Sequence, residues 1–224
     1  NDALIMRTIN NMTATTLRSE YEDDNGYSAK SGVRAVNLLN LYKARFAEAA
    51  AMTPEQAMTT PEFVRFAVLT MKNYIDRLSK LSTLFNVGGK ERFTPSDMLH
   101  VVMLSDFRNA ADTYLQSTTF HDQYTALPNA ETVPFWQGSG KSYSFNEISD
   151  IHVNIATAGG GTEEVAASGI LCVMFDRDAL GVTNLDRRVT TNYNPKAEFY
   201  TNFYKFDAGY FNDANENFVV FFVA

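Results

Sequence analysis

Gly138-Ser139-Gly140-Lys141-Ser142 has the residue types that cradle a phosphate. A phosphate-binding loop needs an earlier glycine five positions before Gly140, and Phe135 stands there. It also needs a strand before it and a helix after it, whereas this stretch lies between a proline-rich turn and strand-like sequence, so it reads as a turn. The histidines His100, His121 and His152 are scattered, with no second His or Cys at metal-ligand spacing. No zinc site is expected from them. Asp176-Arg177-Asp178 places two carboxylates together, as a general acid and base or a cation site would. The plainer reading is a charged turn whose arginine pairs with one of them. Cys172, the only cysteine, is flanked by apolar residues and reads as an inert core thiol. No serine or cysteine sits in a nucleophile elbow. The sequon Asn11-Met12-Thr13 has no meaning without secretion signals. The inventory of catalytic, cofactor-binding and metal-ligating residues is therefore empty: no enzyme and no cofactor are expected.

The elements that would position these residues divide into a mostly helical first two-thirds and a strand-rich last third, an α+β pattern. Leu4, Ile5, Ile9, Met12 and Leu17 recur at helical spacing, as do Val36, Leu38, Leu39, Leu41, Tyr42 and Phe46. Between them Tyr21 to Ser31 is polar with a central glycine and reads as a solvated loop. Thr53-Pro54, Thr60-Pro61 and Thr94-Pro95 each place an N-cap threonine before a proline at the first helical position. The helix from Pro61 to about Leu81 is expected to be the longest, with Phe63, Phe66, Leu69, Ile75, Leu78 and Leu81 on its buried side. Further helices are expected over Met98–Leu104, carrying His100, and over Phe107–Leu115. Tyr143, Phe145 and Ile148 read as strand material. Ile151, Val153 and Ile155 alternate strictly, which leaves His152 pointing to solvent. Ala158 to Thr162 reads as a hairpin tip. Gly169 to Phe175 is a continuous apolar run and reads as a strand buried on both faces.

Aromatic residues crowd the C-terminal segment, from Tyr193 through Phe199, Tyr200, Phe203 and Tyr204 to Phe221 and Phe222. Most are expected in a core, because Phe and Tyr fit a half-buried pleated surface. Some would instead anchor subunit contacts, with Arg187 and Arg188 as rim partners and Trp136 as a further interface candidate.

The 224 residues suffice for one large domain or two intimate ones, and 45% of them are hydrophobic, which excludes a disordered tail. A net charge of −7 argues against a free-standing nucleic-acid binder, which carries a basic face. A lone cysteine fits a reducing compartment such as bacterial cytoplasm. No apolar run reaches transmembrane length and no signal peptide opens the chain. The start at Asn1, almost at once in helical sequence, reads as a chain missing its leader or N-terminal part.

From Phe93 onward the chain resembles the major capsid proteins of tailed bacteriophages with the Hong Kong 97 fold. The stretches that carry this are FTPSDMLHVVMLSDFRNAADTYLQSTTFHDQ, TVPFWQGSG, GILCVMFDRDALGV and the tail TTNYNPKAEFYTNFYKFDAGYFNDANENFVVFFVA. The resemblance covers residues 60 to 224 well and the first 60 weakly. It implies a capsid fold with a long spine helix, a peripheral domain and an apical domain, here without the N-terminal arm and extended loop. The corresponding boundaries would be a peripheral part over residues 1–92, including the long helix 61–81; an apical part over 93–185; and C-terminal strands over 186–224 that return to the peripheral domain. It further implies self-assembly into hexamers and pentamers around packaged DNA without sequence-specific contact. Scaffolding and portal proteins would be partners, the host cytoplasm the place of assembly, and the virion of a phage or prophage the final location. An encapsulin-type compartment shell and a carbohydrate- or peptide-binding module are the competing readings.

Overall fold

The structure, a computed structural model, describes residues 2–20, 32–116, 130–136, 150–156 and 159–224. Helix α1 (Asp2–Glu20) comes first, followed by strand β1 (Ala35–Asn37) and helices α2 (Leu38–Arg45), α3 (Pro54–Thr59) and α4 (Pro61–Leu78). Strand β2 (Leu99–Leu104), helix α5 (Ser105–Gln116) and strands β3 (Glu131–Val133), β4 (Ile151–Ala156), β5 (Thr162–Ala167) and β6 (Ile170–Asp176) follow. Two long strands, β7 (Leu180–Asn194) and β8 (Phe199–Asn212), precede the last, β9 (Phe218–Phe222). The fold is α+β, as the sequence pattern predicts.

A five-stranded mixed sheet in the order β1-β9-β6-β2-β3 is the centre of the molecule. Strands β6 and β9 occupy its middle and every one of their residues is buried. Alternate side chains of one strand point to opposite faces, and the core accordingly divides in two. Val101, Met103, Cys172, Met174, Val219 and Phe221 face a layer made by α2, α3, α4 and α5. Val102, Val173, Phe175, Phe218, Val220 and Phe222 face the other way, against α1, the β4–β5 hairpin and Trp136. The continuous apolar run at 170–175 is the sequence signature of this two-sided burial.

Of the three Thr-Pro sequences, one starts a helix with its full local chemistry. Thr53 and Gln56 form a reciprocal cap, Gln56 N–H donating to Thr53 Oγ1 at 3.3 Å and Thr53 N–H to Gln56 Oε1 at 3.1 Å. Thr60 occupies the N-cap of α4, but its hydroxyl donates backward to the Gln56 carbonyl at 2.7 Å and caps nothing in α4. Thr94 begins no helix. Residues 95–98 make one turn and the chain then extends, so Leu99–Leu104, carrying His100, is a strand and not the expected helix. A six-residue stretch with five apolar residues, two of them valines, suits a buried strand as well as a helix, and here tertiary pairing with β6 decides. The buried Thr94 hydroxyl instead accepts from Asn217 Nδ2 at 3.0 Å.

The buried side of α4 keeps Phe63 and Leu78 as expected, with Phe66 and Ile75 partly buried against the same core, and it takes in further residues. Phe63, Val64, Ala67, Val68, Met71, Tyr74 and Leu78 are inside. Leu69 is exposed, and so is Leu81, which lies beyond the helix end. Helix α1, at 19 residues, is one longer than α4. Val36, expected on a helical stripe, belongs to β1. Gly169 is required where β6 begins: its φ is +71°, and a Cβ there would run into the Val223 carbonyl.

Candidate interaction surface

The residue types that might have carried chemistry do not converge. Cys172 is fully buried at the middle of β6, and burial pushes its thiol well above the usual cysteine range. Asp176 is buried, accepts from the Asp178 N–H at 3.0 Å and caps a short 3-10 turn. The triplet is thus a turn, as read. Among the described residues, however, Arg177 forms no ion pair with either carboxylate; its backbone N–H donates to the Met98 carbonyl. His100 Nε2 lies 3.2 Å from Glu131 Oε2, beside a shallow cleft of about 170 Å³ lined by Ile5, Met6, Ile9, Phe175, Arg177 and Leu180. His152 is half-buried on β4, with Nδ1 3.5 Å from Glu164 Oε1. It leans along the hairpin instead of pointing fully to solvent. His121, the Gly138–Ser142 turn, Tyr143, Phe145, Ile148 and the Tyr21–Ser31 loop lie outside the described residues. Among the described residues no group of three or more His, Cys, Asp or Glu could hold a metal ion.

What the structure does assemble is a surface. Strands β7 and β8 form a separate two-stranded antiparallel ribbon, paired from Leu180↔Asn212 to Asn194↔Phe199. Its base is anchored in the body, where Leu180 is buried against the α1 side of the core and the Asp213 N–H donates to the Ala179 carbonyl at 2.7 Å, and α1 also lies against both of its strands. The register slips between Leu185 and Arg188, where Asp186 takes a φ of +48°, so the ribbon carries a bulge and bends there. Asp186 lies 3.5 Å from Arg188 and 3.6 Å from Lys205, which also approaches Asp207 at 3.3 Å. Exposed pairs of this kind contribute about 0–1 kcal/mol each; they orient the side chains around the bulge more than they hold the ribbon together. Beside the bulge a groove of about 580 Å³ opens between the ribbon and Leu4 of α1, lined by Arg187, Arg188, Val189, Tyr204, Lys205 and Phe206.

The aromatic residues expected in the core separate into two populations. Phe218, Phe221 and Phe222 are buried in β9, whereas Phe199, Tyr200, Phe203, Tyr204, Phe206, Tyr210 and Phe211 in β8 are 49–75% exposed. Directly opposed residues of an antiparallel pair share a face, which places Tyr193 with Tyr200 and Val189 with Tyr204 on one side, and Thr190 with Phe203 on the other. The Tyr193 and Tyr200 rings touch, with centroids 4.8 Å apart. Both faces of the ribbon therefore show large apolar side chains to solvent. Sequence reasoning missed this exposure, although a signal was present. β9 reads FVVFF without a polar residue, while β8 interleaves its aromatics with Asn202, Lys205 and Asp207.

Of the residues expected at an interface, Arg187 and Arg188 lie at the ribbon's bulge and are exposed. Trp136 is elsewhere. It is 2% exposed, and its indole N–H donates to the Ile170 carbonyl at 3.0 Å, so in the single chain it closes the core beside β6.

Comparisons with known proteins concern the chain as a whole. The sequence model of the family described as Phi29-like phage major capsid protein matches residues 7–222. No curated protein matches. Among solved structures, one similar chain is from the capsid structure of Staphylococcus phage Andhra, at 10% identity and a TM-score of 0.47. The match covers 97% of the present chain and 59% of that one, so the chain spans less than two-thirds of its length.

Proposed function

The chain belongs to the Phi29-like phage major capsid protein family, and from that premise we propose that it is the subunit that tiles, in hexamers and pentamers, into the icosahedral head of a tailed phage or prophage and encloses its DNA. The family match over residues 7–222 carries this reading. What supports it in the geometry is a rigid, two-sided core that bears a projecting ribbon with apolar faces, the form of a building block made to contact others. A shell multiplies each contact over all its copies, so single interfaces of standard or smaller size suffice.

The fold is assigned to the Hong Kong 97 type, with its peripheral and apical parts interleaved along the chain. The five-stranded sheet takes β1 from the expected stretch 1–92, β2 and β6 from 93–185, and β9 from 186–224. The apical part is accordingly read as this sheet with α2 to α5, and the peripheral part as α1 with the β7–β8 ribbon, α1 taking the role of spine helix. Arg187 and Arg188 are assigned to the rim of a subunit contact. Trp136 acts on such a contact only through the core that it closes.

The protein has no catalytic role in this reading. Net negative charge limits adhesion to the packaged DNA, which is held without sequence-specific contact. Scaffolding and portal proteins join assembly in the host cytoplasm, and the mature location is the virion. Among the described residues no helix is long and apolar enough to cross a membrane. Sedimentation tests the reading: the full gene product, expressed with its neighbouring genes, is expected to run as capsomers and closed particles. Material that stays monomeric at every concentration would contradict it and favour a carbohydrate- or peptide-binding module, whose aromatic strands would form a ligand platform.

A further inference from the structure

We propose that the β7–β8 ribbon docks onto the body of a second copy of this chain, ribbon to body and not ribbon to ribbon; the inference rests on the capsid reading above and specifies the contact.

Three observations support it. The first is area. Ten large apolar side chains of β7 and β8 are 49–75% exposed. At 150–250 Å² for each aromatic side chain, the exposed part amounts to roughly 1,000 Å². This matches the ~800 Å² that each partner buries in a standard interface, and exceeds the few hundred Å² of apolar patch usual on a monomer.

The second is that large apolar side chains stay about half or more exposed on both faces even with α1 lying alongside. Tyr200, Tyr204 and Phe206 lie on one side and Phe199, Phe203 and Phe211 on the other. A two-stranded ribbon is marginal in water unless a third strand or another packed element supports it. Covering one face alone would leave an aromatic row in solvent, so the ribbon is built to sit against a surface that embraces it.

The third is charge. The ribbon and its turn hold Arg187, Arg188, Lys196 and Lys205 against Asp186, Glu198 and Asp207, while the whole chain carries −7. All the net negative charge therefore lies outside the ribbon. With four cations and three acids the ribbon is close to neutral, so two ribbons gain no net attraction from each other, whereas a ribbon meeting a neighbouring body meets a surface of net opposite sign. A ribbon-to-body contact is heterologous: each copy gives one patch and receives at another, the arrangement that closes into rings.

The test places a photo-crosslinking phenylalanine analogue at Tyr204 in the full gene product, mixed equally from light and ¹⁵N-labelled chains and irradiated after assembly. Mixed-label adducts from Tyr204 to residues outside 180–212 are expected. Adducts confined to 180–212 of a second copy would overturn ribbon-to-body docking. Assembled particles without mixed-label adducts at Tyr204 would overturn the inference while leaving the capsid reading intact. Failure of the unsubstituted protein to assemble at all would overturn both. As a second measurement, Y204D/F206S is expected to keep the native circular-dichroism spectrum and melting curve, because both side chains are exposed. Its threshold concentration for assembly should rise at least tenfold. A folded double variant with an unchanged threshold would also overturn the inference.

Discussion

Three single residues make the sharpest claims about stability. Gly169 holds a φ of +71° with the Val223 carbonyl where a Cβ would stand. Gly169→Ala should therefore lose more than about 2 kcal/mol, from the left-handed backbone and the displaced last strand together, read from urea unfolding midpoints. Cys172 is buried and held as a thiol, so a thiol reagent at neutral pH should leave it unmodified in the native protein and modify it in urea. Asp213 accepts from the Asn215 N–H at 2.9 Å and from the Asn215 side chain at 2.8 Å, bonds that hold its carboxyl below the usual aspartate value, with Arg92 nearby adding to the effect. Its folded value being the lower one, its stabilising contribution is complete above the ordinary aspartate value of about 4 and is lost as pH falls through the folded value. Asp213→Asn should flatten the acid limb of the stability curve, seen in melting temperatures measured from pH 6 downward. At this scale the sequence was legible for Cys172, whose apolar neighbours announce burial. Gly169 was visible only as the edge of an apolar run. For Asp213 only the turn was legible, from the Asn and Asp residues of 212–217, and not the second bond from the Asn215 side chain or the approach of Arg92.

Secondary elements were legible where local chemistry alone decides. Thr53-Pro54 and Gln56 predict a capping box, and the box forms. Thr53→Ala is expected to cost about 1 kcal/mol, and Thr60→Ala distinctly less, since the Thr60 hydroxyl caps nothing in α4; thermal unfolding of the two variants side by side measures the difference. Thr94-Pro95 has the same wording, yet the chain goes from one turn into β2. The competing factor is non-local: Leu99 to Met103 pair with β6, and such pairing cannot be read from the residues themselves. The exposure of Leu69 is a similar case: α4 buries Val64, Ala67, Val68 and Met71 against the core and leaves Leu69 in solvent, a choice set by the packed layer and not by helical spacing alone. The aromatic strands are the clearest case. Phe221 and Tyr200 belong to similar-looking segments, but one sits between two layers of core and the other on an open ribbon. Phe221→Ala should therefore cost about 3–5 kcal/mol, and Tyr200→Ala little in the isolated chain.

Across the whole molecule, the α+β class was legible and so was the capsid family, carried by long stretches of sequence more than by any site. The division into layers was legible only in part. Two core clusters on opposite faces of one sheet need strands from residues 35, 99, 170 and 218, an order that chain position does not reveal. The surface proposed for subunit contact lies on the most exposed element, the ribbon of β7 and β8. Its bend arises from a bulge at Asp186 that no turn motif announces. The central strands of the sheet are buried on both faces while the ribbon leaves apolar side chains in solvent, which is the contrast the capsid reading draws on. The most direct measurement is negative-stain electron microscopy of the full gene product, expressed alone and with its neighbouring genes. Uniform closed shells or capsomer rings are the expected result. A field of dispersed monomers under every condition, from protein shown to be folded, would contradict the assignment as a capsid subunit.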